Sequence, residues 1–254
     1  MILIKNSTAA QKMREAGHLL EGIVKQICEA AQPGVTTRTL GDLADRLIRG
    51  VGAVPSFNGY GQPPFPASLC TSVDDAVIHG IPDNKPLREG SIVGIDCGLI
   101  LDGWHADMAR TVPVGAVPGE AERLISVAKQ CFFEGLQYCR EGYRLGDIGH
   151  AIQSCAEDAG YSVVTAWCGH GIGREMHEDP QVPNVGTPGH GIALRAGMTL
   201  AIEPMINAGA CDVRVDGWDV RTRDGSFSAH YENTVLITSG APEVLTMRLP
   251  EIGR

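Results

Sequence analysis

Four acidic residues interrupt stretches of this sequence that otherwise have the apolar character of buried β-strands. Asp96 lies within SIVGIDCGLI, and Asp107 lies in the neighbouring segment WHADMARTVPV. Glu203 interrupts MTLAIEPMI, and Glu232 lies two residues before the first residue of TVLI. Buried carboxyl groups are rare in proteins unless they are paired or bind a metal ion. A fold of this chain must therefore supply these acids with a compensating charge or leave them at solvated strand edges.

The two aspartates belong to a predicted β-hairpin. Strand-like segments flank the turn-like sequence Leu101-Asp102-Gly103, a pattern that is typical of a hairpin. A turn there pairs residue 101 with residue 104. Asp96 then lies opposite Ala109, and Asp107 is its diagonal neighbour on the same face. A solvated edge explains either aspartate alone about as well as a functional site does, but the acids of the second half favour a site.

Four clustered carboxylates cannot all ionise without cations, because two unit charges about 4 Å apart repel by about 4 kcal/mol at an effective dielectric constant of about 20. Two divalent ions would balance the four charges, and His170 in CGHGIG offers a neutral fifth ligand. Oxygen ligands with a single imidazole favour manganese, iron or cobalt, with zinc left open. Such a pair of ions can hold a bridging water and polarise a carbonyl, which indicates hydrolysis.

The rest of the sequence places helices before strands, in the same order twice. Its 254 residues allow one large domain or two small ones. A boundary near 113–118 separates two halves that we expect to close on one site, and the Gly/Pro-rich stretch 55–66 is predicted to be a functional loop. The first predicted helix begins after an N-cap at Ser7 or Thr8. Its apolar stripe runs from Met13 to Ala31. The second predicted helix follows Thr36 or Thr37 and ends at Gly50 or Gly52, and the others are 119–136 and 145–159, the last with Cys155 facing inward. Strand-like segments are 91–114, 161–166, 198–207, 211–215 and 228–238.

Composition excludes several classes of function. Thirty acids against 21 bases give a formal charge of −9, which opposes binding to DNA or to anionic lipid. No apolar run approaches the roughly 20 residues of a membrane span, and the N-terminus lacks the apolar region of a signal peptide, so we expect a cytoplasmic protein. The eight cysteines show no CxxC spacing, which argues against a zinc finger or a disulfide framework.

With these residues in view, the chain resembles the type I methionine aminopeptidases over nearly its whole length. The resemblance rests on SLCTSVDDAVIHGIP, GIDCGLILDGWHADMART, GHGIGREMHEDPQVPN, TLAIEPM and SAHYENT. It implies the α+β "pita-bread" fold, in which helices flank a curved antiparallel sheet with pseudo-twofold symmetry, in a single catalytic domain spanning 1–254. It also implies that two divalent metal ions are bound by Asp96, Asp107, His170, Glu203 and Glu232.

The resemblance implies further roles for individual residues. His79 would hydrogen-bond the substrate near its amino end, His177 would bind the scissile carbonyl, and Glu203 would also act as a base and proton shuttle. The family's apolar methionine pocket corresponds here to Tyr60, Phe65, Cys70, Met176 and Trp218. The loop departs from the family pattern by a short insertion, Gln62-Pro63-Pro64. The remaining histidines match no functional family position and are predicted to be helix, turn or surface residues: His18, His105, His150, His190 and His230.

The resemblance implies a metal-dependent aminopeptidase that removes the initiator methionine from nascent proteins and prefers a small second residue. Its partners would be nascent polypeptide N-termini, with docking on the ribosome left open, and the enzyme would be a monomer. One alternative is an Xaa-Pro aminopeptidase or prolidase, which shares the five-ligand set but generally carries an extra N-terminal domain. Another is a metal-free binding module, although such relatives usually lose ligands.

Overall fold

The computed structural model describes residues 1–248. The helices are α1 (Ser7–Ala30), α2 (Thr37–Gly50), α3 (Gly119–Leu136) and α4 (Leu145–Asp158). The strands are β1 (Val54–Pro55), β2 (Cys70–Val73), β3 (Ala76–Ile78), β4 (Ile92–Leu101), β5 (Trp104–Pro113), β6 (Ser162–Val163), β7 (Gly169–Gly171), β8 (Glu178–Val182), β9 (Thr199–Ile202), β10 (Met205–Asn207), β11 (Val213–Asp216), β12 (Asp219–Thr222), β13 (Ser228–Leu236) and β14 (Glu243–Val244).

One large sheet joins strands from both ends of the chain. Its main path runs β1-β4-β5-β13-β9-β7-β8, and β2, β6, β10 and β14 pair beside that path. The strand pairs are antiparallel within the described residues. The predicted α+β class with an antiparallel sheet is therefore confirmed. The contact between β5 and β13 is decisive for function, because it unites acids that lie more than 100 residues apart.

Helices cover the sheet through two apolar clusters. Leu20, Ile27 and Leu40 of α1 and α2 pack with Ile95 and Leu99 of β4. A second cluster joins α3 and α4 to the later strands, including Leu124, Phe132, Ile148, Leu200 and Val235. Both clusters follow the apolar periodicity of the helices, which places one stripe of each helix against the sheet. None of the described helices combines the length and apolar character that a membrane crossing requires.

Helix and strand ends differ from the predictions in several places. The N-cap of α1 is Asn6 rather than Ser7 or Thr8, because the Asn6 side chain accepts a hydrogen bond from the Ala9 amide at 2.9 Å. Cys155 packs against the apolar cluster of α3 and α4 as predicted, although it is only half-buried. The predicted strand 198–207 is two strands, since Pro204 after Glu203 has no amide to continue the ladder.

Two glycines of α1 give a stability prediction with a built-in control. A Cβ at Gly17 would lie 2.2 Å from the Leu245 carbonyl oxygen, whereas a Cβ at Gly22 would meet nothing within 4 Å. Gly17→Ala should lower the free energy of unfolding by about 1–3 kcal/mol through overpacking. Gly22→Ala should raise it by up to about 1 kcal/mol through helix propensity. Urea unfolding followed by circular dichroism measures both, and equal stabilities would contradict the proposed contact.

Candidate active site

One row of paired residues crosses four neighbouring strands. In the order β2, β4, β5 and β13, the row reads Cys70, Asp96, Ala109 and Glu232. The predicted pairing of Asp96 with Ala109 is therefore confirmed. Directly opposite residues in a sheet project from the same face. Asp96 and Glu232 thus share one face, separated only by the methyl group of Ala109.

Asp107 joins this face two residues before Ala109, where it pairs with Gly98. The Thr234 hydroxyl of β13 forms two hydrogen bonds with the backbone of Asp107. The Asp107 amide donates to Thr234 Oγ1 at 3.1 Å, and Thr234 Oγ1 donates to the Asp107 carbonyl at 2.9 Å. The side chain of Thr234 thus ties Asp107 to β13 beyond the last backbone pair of the two strands, Met108 with Asn233.

Glu203 and His170 approach from the other side of β13. His170 lies opposite Ala201 on β9, and Glu203 follows the last residue of that strand. His170 Nε2 is 3.7 Å from Glu203 Oε1. His170 Nδ1 lies 2.9 Å from the Gly171 carbonyl, which can only accept, so Nδ1 carries the proton. The Nε2 lone pair is therefore directed towards the carboxylates, as a metal ligand requires.

The electrostatics of the four acids call for a cation. Burial raises the pKa of Asp96 to about 7, and it raises the pKa values of Asp107, Glu203 and Glu232 well above the usual range, with further contributions from neighbouring acids. Burial lowers the pKa of His170 to about 3, so its imidazole is neutral. Asp96 Oδ1, Asp107 Oδ1 and Glu232 Oε1 are buried without a hydrogen-bond partner among the described residues.

Two groups of these side chains have the spacing of metal ligands. Ligand atoms of Asp107, His170 and Glu232 lie within 4.8 Å of one another, and so do those of Asp96, His230 and Glu232. Carboxylate and imidazole donors suit divalent transition metals. The unpartnered oxygens and the donor set therefore fit divalent metal binding at this position.

His230 and His105 correct the sequence prediction, because both are buried strand residues rather than turn or surface residues. His230 Nε2 lies 3.8 Å from Glu203 Oε2 and 3.9 Å from Glu232 Oε2. His105 Nδ1 lies 2.9 Å from Ser56 Oγ. Every residue of β13 is buried, so even its polar side chains have no solvent face. Alternation along β13 could have identified His230, which lies two residues before Glu232.

A cavity of about 640 Å³ contains the whole predicted site. Its lining includes all twelve predicted residues: Tyr60, Phe65, Cys70, His79, Asp96, Asp107, His170, Met176, His177, Glu203, Trp218 and Glu232. At one end, Phe65, Cys70 and Met176 form a buried apolar cluster with Phe57, against which Trp218 packs. Phe57 was not predicted to line the site, although it is an apolar residue within the loop 55–66 predicted to be functional.

Two further histidines face this cavity. His79 has a positive φ of 60° and makes edge-on contacts with Trp167 and Trp218, with ring centroids 5.2 and 5.7 Å away. Burial lowers the pKa of His79 to about 4. His177 lies with its ring centroid 4.2 Å from that of His170, and its Nδ1 is 2.5 Å from the Tyr60 hydroxyl. Trp167 was not predicted from the sequence.

Comparisons with known proteins agree with this geometry. Residues 11–239 match the metallopeptidase family M24. The chain belongs to metallopeptidase family M24. It is 50% identical to a methionine aminopeptidase of Clostridium acetobutylicum over 250 residues, which cover 97% of this chain and 99% of that one. It is 42% identical to methionine aminopeptidase 1 of Bacillus subtilis over 248 residues, with the same shares covered.

Solved structures of M24 relatives confirm the predicted pita-bread fold. The crystal structure of methionine aminopeptidase from Rickettsia prowazekii superimposes with a TM-score of 0.95 at 44% identity, covering 97% of this chain and 100% of that one. A prolidase from Pyrococcus horikoshii shares the fold with a TM-score of 0.80 at 21% identity, and the match covers only 65% of its chain. Membership of M24 implies the use of divalent metal, in agreement with the ligand geometry.

Metal binding to this M24 site should depend on pH in a defined direction. Without metal, the folded state keeps protons on carboxyls such as Asp96 up to a pKa of about 7, so stability is lost as pH rises from about 4 through about 7. A divalent cation replaces those protons. Its stabilising effect should therefore grow with pH, by up to about 1.4 kcal/mol per pH unit for each displaced proton.

Thermal melts with chelator and with Mn²⁺ at pH 5.5, 6.5 and 7.5 would measure this effect. Burial lowers the pKa of His79 to about 4 and those of His170 and His230 to about 3, so these histidines are neutral over this range and carboxyl protons dominate the difference between the two melts. A difference in melting temperature that stays constant with pH would contradict the prediction.

Proposed function

We propose that this chain removes the N-terminal methionine from nascent proteins and prefers substrates with a small second residue. The observation that carries the proposal is the full-length identity of 42–50% to methionine aminopeptidases, combined with a cavity that places an apolar cluster beside four carboxyls. The reaction is hydrolysis of the first peptide bond.

Asp96, Asp107, His170 and Glu232, which occur in the two ligand groups, would hold two divalent metal ions together with Glu203, whose Oε1 lies 3.7 Å from His170 Nε2. Cobalt, manganese, iron and zinc are the candidates. When bound, such ions polarise a carbonyl and lower the pKa of a water molecule towards neutrality. Glu203 is the acid that follows a strand end rather than lying within a strand. It would accept a proton from the attacking water and pass it to the leaving amine.

The contact with Tyr60 supports the role of His177. Partial burial lowers the pKa of His177 and raises the pKa of Tyr60. At neutral pH the imidazole is therefore uncharged and the phenol keeps its proton. The phenol can then donate to Nδ1, which leaves Nε2–H to donate to the scissile carbonyl oxygen. A donor at that position stabilises the negative charge that develops in the transition state. His79, also neutral, would bind the substrate near its amino end and scissile amide.

The apolar cluster would receive the methionine side chain. A thioether packs favourably against aromatic rings and soft sulfur groups, here Phe65, Trp218, Cys70 and Met176, with Tyr60 at the exposed rim. Burial raises the pKa of the Cys70 thiol well above its usual range, so it acts as an uncharged wall of the pocket. Cys70 pairs directly with Asp96, which places this pocket next to the proposed metal ligands.

The comparisons do not favour the alternatives. The prolidase likeness, at 21% identity, extends to the fold alone. A metal-free binding module is disfavoured by the complete set of predicted ligands around one cavity. We further propose a single catalytic domain spanning 1–254 with two pseudo-symmetric halves meeting near 113–118. A cytoplasmic location and a monomeric state stay predictions, and docking on the ribosome stays open.

A peptide panel tests the proposed function. The peptides Met-Ala-Ser, Met-Leu-Ser and Ala-Pro should be incubated with the protein, with chelator and with added divalent metal, and the released amino acid measured. Free methionine should appear from Met-Ala-Ser in the presence of metal and disappear with chelator, because the cavity supplies both a thioether pocket and metal ligands. Release of alanine from Ala-Pro would favour the prolidase alternative, and no cleavage with any metal would favour the binding module.

His177→Ala should lower kcat on Met-Ala-Ser by about 10²–10³-fold, the range seen when one donor to a developing oxyanion is removed. Its metal content should stay near that of the unaltered protein, because His177 is outside both ligand groups. Metal content is measured by elemental analysis and turnover by methionine release. Loss of metal from this variant would show that its proposed role is wrong.

A further inference from the structure

An ion pair lies buried beneath the segment that carries His177. Lys5 Nζ is 2.5 Å from Glu178 Oε2, and each side chain is only 4% exposed. A buried ion pair is weak evidence for stability, because apolar residues of similar volume often stabilise a fold as well or better. A buried pair of this kind therefore calls for an explanation beyond stability.

Glu178 uses its second oxygen to close the preceding loop. Its Oε1 accepts hydrogen bonds from the Arg174 amide at 2.7 Å and from the Glu175 amide at 3.3 Å. The carboxylate thus folds residues 173–177 into a tight loop. That loop presents Met176 to the apolar cluster and His177 to the carboxylate site.

Lys5 anchors this loop to the body of the protein. Its amide donates to the Gly197 carbonyl at 2.7 Å, and it directly precedes Asn6, the N-cap of α1. Gly173 packs bare backbone against the pair, since a Cβ there would lie 2.6 Å from both Glu178 Oε1 and Lys5 Cε. The ammonium, the carboxylate and the loop backbone are therefore closely packed against one another.

We propose that Lys5 and Glu178 are positioning residues that set the orientation of the His177 imidazole. Their side chains contact one another and the loop amides, so they would act on the reaction through His177. His177 needs its Nδ1 at the Tyr60 hydroxyl to offer Nε2–H to a carbonyl, and the loop fixed by Glu178 holds the imidazole in that place. This inference rests on the proposed function for its kinetic consequences, but the orientation of His177 can be observed independently.

The kinetic arm compares Lys5→Met with Lys12→Met, a lysine whose side chain is 41% exposed. Lys5→Met should lower kcat on Met-Ala-Ser by about tenfold or more while KM changes by less than about threefold, because the carbonyl contact strengthens in the transition state. Lys12→Met should leave both constants unchanged. Lys5→Arg, which keeps the charge, should restore most of the turnover.

Two double variants separate loop closure from charge. In Lys5→Met/Glu178→Gln the pair is neutral, and the amide oxygen of Gln can still accept from residues 174 and 175. This variant should fold and keep kcat within about threefold of the unaltered protein, since neutral replacements of similar volume tolerate burial well. Lys5→Met/Glu178→Ala removes the acceptor as well, and its kcat should fall by about tenfold or more.

The spectroscopic arm does not depend on activity. Two-bond ¹H–¹⁵N spectra of the zinc-loaded full chain with ¹⁵N-labelled histidine report the tautomer of each ring. Lys5→Met and Lys5→Met/Glu178→Ala should shift the His177 resonances towards a tautomer mixture, while those of His18, His150 and His190 stay in place. The Glu178→Gln double variant should retain the original His177 resonances.

Variants that lower the melting temperature but leave kcat and the His177 resonances unchanged would overturn the inference and leave the pair a structural contact. An equal loss of turnover in both double variants, without a change at His177, would overturn it as well. If the unaltered protein releases no methionine, the proposed function fails, whereas the resonances still decide whether the pair orients His177.

Discussion

Asp96, Asp107, Glu203 and Glu232 face one cavity, where burial raises the pKa of each carboxyl and neighbouring acids raise the pKa values of the last three further. Strands must therefore hold these groups together against their own electrostatics. The β5–β13 contact does so with Thr234 and with Arg110, whose guanidinium donates to the Glu232 carbonyl at 2.6 Å and to Asn233 Oδ1 at 2.8 Å. The same guanidinium lies over the Tyr231 ring at 4.1 Å and opposes the rise in the pKa of Glu232. The site depends on this junction more than on any single ligand.

Much of this arrangement could be predicted from local sequence. The turn at Asp102-Gly103 sets the register of a hairpin made of two ten-residue strands. The shared face of Asp96 and Asp107 therefore followed from counting along both strands. Acids inside apolar runs marked Glu203 and Glu232, because an unpaired buried carboxyl is too costly to occur by chance. Charge arguments therefore identified the metal-binding face of the sheet. The roles of His79 and His177 and the residues of the pocket were inferred from the family resemblance.

The features that were missed depend on contacts that one sequence does not reveal. The strand β7 was not predicted, and its Gly169 and Gly171 are required by neighbouring strands. A Cβ on Gly169 would lie 2.2 Å from the Ala201 carbonyl oxygen, and one on Gly171 would lie 2.1 Å from that of Asp179. His230 was predicted to be a helix, turn or surface residue because it matches no functional family position, although alternation places it on the same face of β13 as Glu232. Trp167 became relevant only once the fold brought it to His79.

The pairing of Cys70 with Asp96 has a consequence for where a chain would be cut. Neighbouring strands lie about 4.8 Å apart, and an extended chain advances about 3.4 Å per residue. In the proposed function, a methionine side chain seated against Cys70 would therefore leave its own carbonyl nearest to the acids one strand away. The sheet register would then act as a molecular ruler that counts a single residue from the amino end of the substrate.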